Sequence, residues 1–274
     1  VPQVSALFRH PVKGFTPEAC DELVVQADGR VAGDRVLAFR FASAVTPESR
    51  DGLAYWPKSR GLALMDFPSL ARLRVRYDHT ALRVTITDDG GRTLVDAALD
   101  DQGRRRLEDA VTAFVADSPE ASRLDAEGVL PLRLVGDGRT SRFQDRPRGF
   151  VSLHGAASVQ ALDAAVPASV DDRRFRSNVV VTGTAPWDEL GWSGRVRVGD
   201  VLFDVQAPIA RCTAIMANPD TGDRDARLLR VLTKEFDQQA PTLGILLLPA
   251  SGESGTVRLG DEVTLAPASE RVSH

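Results

Sequence analysis

Apolar residues in this chain recur mostly at every second position: Val4, Ala6 and Phe8; Leu73, Val75 and Tyr77; Leu82, Val84 and Ile86; Val196 and Val198, then Val201, Phe203 and Val205. Only a strand puts alternate residues on one face, so the pattern predicts sheets that bury one side in a barrel or sandwich. Asp28-Gly29, Asp89-Gly90 and Asp137-Gly138 supply the cheap positive φ at which strands reverse. A Gly-Asp step after an apolar residue recurs at Gly33-Asp34, Gly199-Asp200 and Gly260-Asp261, as punctuation and not as a repeat. Three segments have helical spacing instead. The first runs from Leu99 to Ala116, with Leu107, Val111, Phe114 and Val115 as its apolar stripe and Arg104, Arg105, Arg106, Glu108 and Asp109 as a solvated outer face. The others follow Gly155 through Val159, Leu162 and Val166, and run from Asp223 through Leu228, Leu229, Leu232 and Phe236. The polar stretch Ser118 to Gly128 predicts a division into residues 1–124 and 125–274. The expected class is mostly β with some α (α+β).

Composition removes several functions. With 38 acidic against 34 basic side chains, the net charge of -4 leaves no footprint for nucleic acid or an anionic membrane, although a local basic pocket stays open. The apolar run Leu243 to Leu248 is too short to span a bilayer, and the N-terminal residues lack a signal-peptide apolar core, so the expected setting is cytoplasmic. Two cysteines, Cys20 and Cys212, cannot build a four-cysteine zinc or iron-sulfur site. His10, His79, His154 and His274 have no paired metal-ligand spacing. Without GxGxxG, GxxxxGK[ST] or GxSxG, the dinucleotide, P-loop and α/β-hydrolase readings lack their required parts.

Cys212 remains, in Ile209-Ala210-Arg211-Cys212-Thr213-Ala214-Ile215-Met216 ahead of the turn-rich Asn218-Pro219-Asp220-Thr221-Gly222. Two readings are open. In an ideal strand Cys212 shares a face with Ala210, Ala214 and Met216 and is a small buried hydrophobe. Alternatively a neighbouring cation or metal stabilises its thiolate, and Arg211 is adjacent. Residues 211 and 212 would point to opposite faces of a strand, so they serve one ligand only where a bulge or strand end re-aims one of them. Two further stretches put donors where strands end: Arg173-Arg174-Phe175-Arg176-Ser177-Asn178 before Val179, and His10-Pro11-Val12-Lys13-Gly14 after the first strand. Guanidinium and ammonium groups suit phosphate, and asparagine suits a heterocycle. Surface salt bridges are the plainer account of each.

In this order, the stretches resemble the MOSC family, named for the C-terminal domain of molybdenum cofactor sulfurase. The first half is similar to the β-barrel domain that precedes MOSC domains, through Val4 to Gly14, Gly33-Asp34-Arg35 and Phe67 to Leu73. The second half carries Val151-Ser152-Leu153, Phe175-Arg176-Ser177-Asn178-Val179, Trp187-Asp188-Glu189-Leu190, Arg211-Cys212 with Pro219-Asp220-Thr221-Gly222, and Gly255 to Asp261. The resemblance implies an N-terminal β-barrel-like domain followed by a MOSC-type β-barrel with peripheral helices. Two-domain members include the mitochondrial amidoxime-reducing component and its bacterial relatives, which bind molybdenum cofactor and reduce N-hydroxylated compounds. By that resemblance Cys212 is the metal ligand and catalytic residue, and Lys13, Arg176, Asn178 and Arg211 line the cofactor. The implied partners are a small-molecule substrate and an external electron-donor protein, a reductase or ferredoxin-like carrier. A sulfur (persulfide) or cofactor carrier is the alternative, and a binding module with an inert cysteine a third. Pyridoxal phosphate binding is attached at family level only.

The chain also departs from its relatives. They place an arginine two residues before an acidic residue and proline; here Leu64-Met65-Asp66-Phe67-Pro68 has none, and Lys58 or Arg60 is the candidate replacement. Phe143-Gln144-Asp145-Arg146-Pro147-Arg148 lacks the hydroxyl residues of the amidoxime reducers, and Asn218 stands where aspartate is usual.

Overall fold

A computed structural model describes residues 1–266; His274 lies outside them. Among the described residues, three α-helices, α1 (Asp101–Ala116), α2 (Ala156–Ala164) and α3 (Leu228–Lys234), accompany a strand-rich fold of the expected α+β class. The main sheet has eight strands in the spatial order Val263–Ala266, Arg195–Val198, Val201–Ala210, Thr242–Pro249, Val151–Gly155, Val179–Thr182, Gln3–Arg9 and Glu18–Ala19. Val151–Gly155 and Val179–Thr182 are parallel, and the crossover that a parallel pair requires carries α2. The sheet curls so far that Val4 N–H donates to Asp261 O (2.8 Å) and Gly260 N–H to Val4 O (2.9 Å), linking its first strand to the approach of its last. Inside the curl lie Val4, Leu7, Leu153, Val179, Val196, Phe203, Ile245 and Leu247.

The first strand departs from strict alternation. A bulge between Val4 and Ala6 shifts the pleat, so Val4 and Leu7 point inward while Ala6 and Phe8 are half-buried. A bulge adds one residue to one strand only, so no count of alternate positions could have located it.

A second core is built on the antiparallel strands Arg74–Asp78, Arg83–Thr87 and Thr93–Ala98, against which α1 packs Leu107, Val111 and Val115. Asp100 caps α1 by accepting from Gly103 N–H (2.7 Å). A Cβ on Gly103 would stand 2.0 Å from Ala98 O, so only glycine lets the helix sit this close to the strand it follows. The expected solvated face of α1 needs correction. Arg105 and Arg106 are exposed, but Arg104 folds back to donate to the carbonyls of Leu99, Leu134 and Gly136. Glu108 is buried and accepts from Leu134 N–H and Arg133. These bonds tie α1 to strand Arg133–Val135, which pairs in turn with Ala38–Arg40.

Backbone pairing crosses residue 124 in both directions. Gln3–Arg9 lies in the sheet of the second half, and Glu22–Val25 pairs with Gly255–Arg258, whereas Arg133–Val135 returns to the first half. A polar linker is visible in composition, but the partner of a strand is not. Among the described residues no helix is long and apolar enough to cross a membrane.

Leu7 is 1% exposed in the main core and Val24 is 47% exposed. Leu7→Ala should therefore cost about 2–5 kcal/mol of unfolding free energy, and Val24→Ala should stay within about 0.5 kcal/mol of the parent, both read from urea unfolding curves.

Candidate functional site

Strand Val201–Ala210 runs alongside Thr242–Pro249 with register shifts between Val205 and Ala207 and between Pro208 and Ala210, then stops. The chain turns at once into a single 3-10 turn, Thr213–Met216. Arg211 and Cys212 thus lie just past the strand, where the pleat no longer forces neighbours apart, and both face one cleft. Cys212 is a half-buried free thiol. Arg211 donates through Nε to Leu243 O (2.8 Å), through Nη1 to Phe175 O (2.7 Å) and through Nη2 to Leu243 O, and lies over the Phe175 ring at 5.5 Å.

The cleft encloses about 330 Å³, within the range of small-molecule sites. Lys13, Arg176, Asn178, Arg211 and Cys212, singled out from three distant stretches of sequence, all line it. The first half adds Arg35, Lys58, Leu64 and Met65, and the loop before Val151 adds Gln144, Asp145, Arg146 and Arg148. Two of these arginines have left-handed backbone, Arg35 at φ 51° and Arg176 at φ 54°. Such a conformation costs a non-glycine residue roughly 1–2 kcal/mol, and strain of this kind persists where the surroundings fix it, often around a ligand.

Eight basic side chains and one acidic side chain line the cleft of a protein whose net charge is negative. Some are compensated locally. Arg174 is clamped by Asp225 (2.8 and 3.0 Å) and by the carbonyls of Met216 and Ser169. Arg35 pairs with Asp34, and Lys13 with Asp145 at 2.9 Å. Arg176 and Arg211 have no carboxylate in salt-bridge range among the described residues; Arg176 donates to Phe15 O at 2.6 Å. Burial, and then the neighbouring Arg35, lower Arg176 to about 10, and burial lowers Arg211 to about 10 against the pull of Cys212. Both stay charged at neutral pH. Burial also opposes the charge on Lys58, yet Asp145 and Cys212 outweigh it and hold the ammonium above its ordinary range. The cleft can therefore accept a polyanion on one side and present a thiol on the other.

Asn178 has a different part in this arrangement. Its Oδ1 accepts from Ser152 N–H (3.2 Å) and Ser152 Oγ (2.9 Å), and its Nδ2 donates to Phe8 O (3.2 Å). The side chain stitches Gln3–Arg9 to the start of Val151–Gly155 beneath the cleft. Arg173 fits the plainer expectation of a surface salt bridge, with Asp171 and Asp220, whereas Arg174 is buried and pairs with Asp225. Of the two residues considered for the missing arginine, Lys58 reaches the cleft and Arg60 does not. Asn218 orders its own loop, accepting from Asp220 N–H (2.9 Å) and donating to Asp225 (2.7 Å). Sequence reasoning had not assigned Arg35, Asp145, Arg146 or Arg148 to the site. Their loops carry no periodicity, and the Arg-Pro-Arg after Asp145 was the one local signal.

Beneath Arg176 lies His10, fully buried, whose main-chain N–H donates to Asp34 at 2.7 Å. Burial, and then the charge of Arg176, hold this ring down to about 3, so it is neutral in the fold. Asp34 is held well below the usual carboxylate range: burial opposes its charge, but Arg35 and His10 outweigh it.

Three comparisons with known proteins bear on this site. The family model described as MOSC domain matches residues 141–264. Molybdenum cofactor sulfurase of Caenorhabditis briggsae is 32% identical over 134 residues, 48% of this chain and 18% of that protein. The Drosophila grimshawi protein of the same name is 38% identical over 82 residues, 30% of this chain and 10% of its own length. The chain thus spans less than a fifth of these curated relatives. A crystal structure of YUAD protein from Bacillus subtilis aligns over 96% of this chain and 93% of its own at 11% identity, with a TM-score of 0.40.

The unfolded His10 ring takes up a proton near its ordinary 6.5, which the folded ring refuses until about 3. The unfolded chain therefore binds more protons as pH falls, and this one site should remove up to about 1.4 kcal/mol of stability per pH unit between about pH 6 and 4. Asp34, with its depressed folded value, adds its loss only below about pH 4. Urea unfolding across pH should show that His10→Gln flattens the upper limb and leaves the lower one.

Proposed function

We propose, from the premise that residues 141–264 form a MOSC domain related to molybdenum cofactor sulfurase, that the cleft holds molybdenum cofactor and that the protein is an oxidoreductase. Its reaction would be reduction of N-hydroxylated or related N–O and S–O small molecules with electrons from a separate donor protein. One observation carries this reading: an accessible thiol on the wall of a cavity lined by cations from both halves of the chain, of which Arg176 and Arg211 have no carboxylate partner among the described residues.

The residues present suit the group. Cys212 offers a soft sulfur donor to the metal. Lys13, Arg176 and Arg211 offer ammonium and guanidinium donors to a phosphate, and Lys58, the candidate replacement for the relatives' arginine, also lines the cleft. Asn178 serves as a positioning residue, because its contacts fix the strand ends that border the cleft. When bound, the cofactor supplies the redox chemistry, and the protein supplies orientation and electrostatics. Phe150, Ile209 and Leu246 add apolar surface to the cleft lining. Two cysteines cannot hold an iron-sulfur relay within residues 1–274, which is why the electrons are assigned to a partner. Both thiols are free, in keeping with a reducing, cytoplasmic setting.

The names of the relatives favour a second reading, in which Cys212 carries sulfur or delivers the cofactor. The two readings differ in what stays bound. Purified from a host that makes the cofactor, the protein should retain molybdenum and turn over a hydroxylamine or amidoxime with a chemical reductant. Cys212→Ala should lose most of the metal. Cys20→Ala should keep it, since Cys20 packs against the main core and donates to Leu7 O at 3.6 Å. Metal content unchanged in Cys212→Ala would refute ligation by that sulfur. Sulfane sulfur on Cys212 without retained molybdenum, seen by intact mass, would favour the carrier.

A further inference from the structure

Asp145 is the one acidic side chain among the lining residues, and its sign is wrong for the ligand the rest of the cleft is built to take. We propose that Asp145 is a resident counter-anion: it fills the seat between Lys13 and Lys58 before a ligand binds and yields it, by side-chain rotation, to a phosphate or pyrophosphate group of the incoming ligand. The proposal rests on the cofactor reading only in needing an anionic ligand.

The geometry supports each part. Lys13 is 6% exposed, so its ammonium has given up most of its water and needs a counter-charge. The structure provides it as Asp145 Oδ1 at 2.9 Å, with Gln144 O at 3.3 Å as the second acceptor. The other carboxylate oxygen faces Lys58 at 4.0 Å. Among the described residues no other side chain forms a salt bridge with this carboxylate and no backbone N–H donates to it, and its side chain is 60% exposed. The backbone around it is pinned. Gln144 Nε2 donates to Ser141 Oγ (2.7 Å), Ser141 Oγ donates to Asp34 O, and Arg30 donates to Pro147 O (3.2 Å). Gly149 abuts Gly29 and Arg30 so closely that a Cβ there would fall 2.3 Å from the Arg30 side chain. The loop ends therefore stay in place while the carboxylate swings out. A multiply charged ligand can displace it, because that ligand also meets Arg176 and Arg211, which Asp145 leaves without carboxylate partners.

The test uses the full chain without cofactor, as wild type and Asp145→Asn, in chloride and in inorganic pyrophosphate at matched ionic strength. In chloride the variant should melt several degrees lower, since Lys13 loses its counter-charge, and pyrophosphate should restore it. Calorimetry should find pyrophosphate bound about tenfold more tightly by Asp145→Asn than by wild type, with the gain abolished when Lys13→Met is added. Equal or weaker binding by the variant, or no binding by either protein, overturns the proposal. If Asp145→Asn folds only when refolded in pyrophosphate, the same prediction is met; failure to recover in pyrophosphate overturns it. Molybdenum content of the wild type, measured separately, keeps the two readings apart. Tighter pyrophosphate binding without retained metal would leave Asp145 in this role and remove the cofactor; retained metal with equal affinities would do the reverse.

Discussion

The pairing of Gln3–Arg9 with Val179–Thr182 is the contact on which the cleft depends. The two strands are more than 170 residues apart in sequence, and Asn178 locks their ends: Phe8 N–H donates to Asn178 O at 2.8 Å while the asparagine amide donates back to Phe8 O. Lys13 follows that strand by four residues and Arg176 precedes its partner by three, so the pairing delivers an ammonium and a guanidinium to one place. Long-range pairing of this kind costs loop-closure entropy, which is recovered by burying Val4 and Leu7 in the main core.

Concentrating positive charge in an acidic protein raises the question of what keeps the cations in place before a ligand arrives. Largely, carbonyl groups do. Arg211 spends its donors on Leu243 and Phe175, Arg176 on Phe15, and Arg174 partly on Met216 and Ser169. A carbonyl satisfies the N–H groups without cancelling the charge, so the donors are desolvated and oriented while the field in the cleft persists. Salt bridges would have fixed the same side chains and extinguished that field. Where the cleft does contain a carboxylate, at Asp145, it sits on lysines and not on the arginines.

Much of this was legible in the sequence, and the remainder was not for definite reasons. Alternation identified five of the strands, Gln3–Arg9, Arg74–Asp78, Arg83–Thr87, Arg195–Val198 and Val201–Ala210, and helical spacing located α1 and α2 to within two residues of their ends, whereas α3 starts five residues later than its apolar spacing suggests. The condition under which Arg211 and Cys212 could share a ligand was stated by strand geometry alone, and the strand does end at Ala210. Arg104 was misread because a long side chain on an outer helical face can turn back to carbonyls of another strand, which periodicity does not register. Asn178 was read for its hydrogen-bonding capacity, which is real, but that capacity is directed mainly at its own fold. Asp145 and Arg35 were missed because loop residues acquire their neighbours only from tertiary structure.

Arg35 shows how these parts hold each other. Its left-handed backbone puts its N–H on His10 O (2.8 Å) and its own carbonyl where Arg142 and Phe143 N–H can reach it (3.2 and 3.1 Å). Its guanidinium pairs with Asp34 and donates to Arg176 O at 3.4 Å. A single strained residue thereby joins the end of the first strand, the loop that carries Asp145 and the turn that presents Arg176. The strain is tolerated because five hydrogen-bonded contacts converge on it, and relaxing φ to the ordinary region would break several at once. The cleft is accordingly fixed where hydrogen bonds hold the left-handed backbone of Arg35 and Arg176, and the side chain proposed to yield to a ligand, Asp145, is held only through its contacts with Lys13 and Lys58.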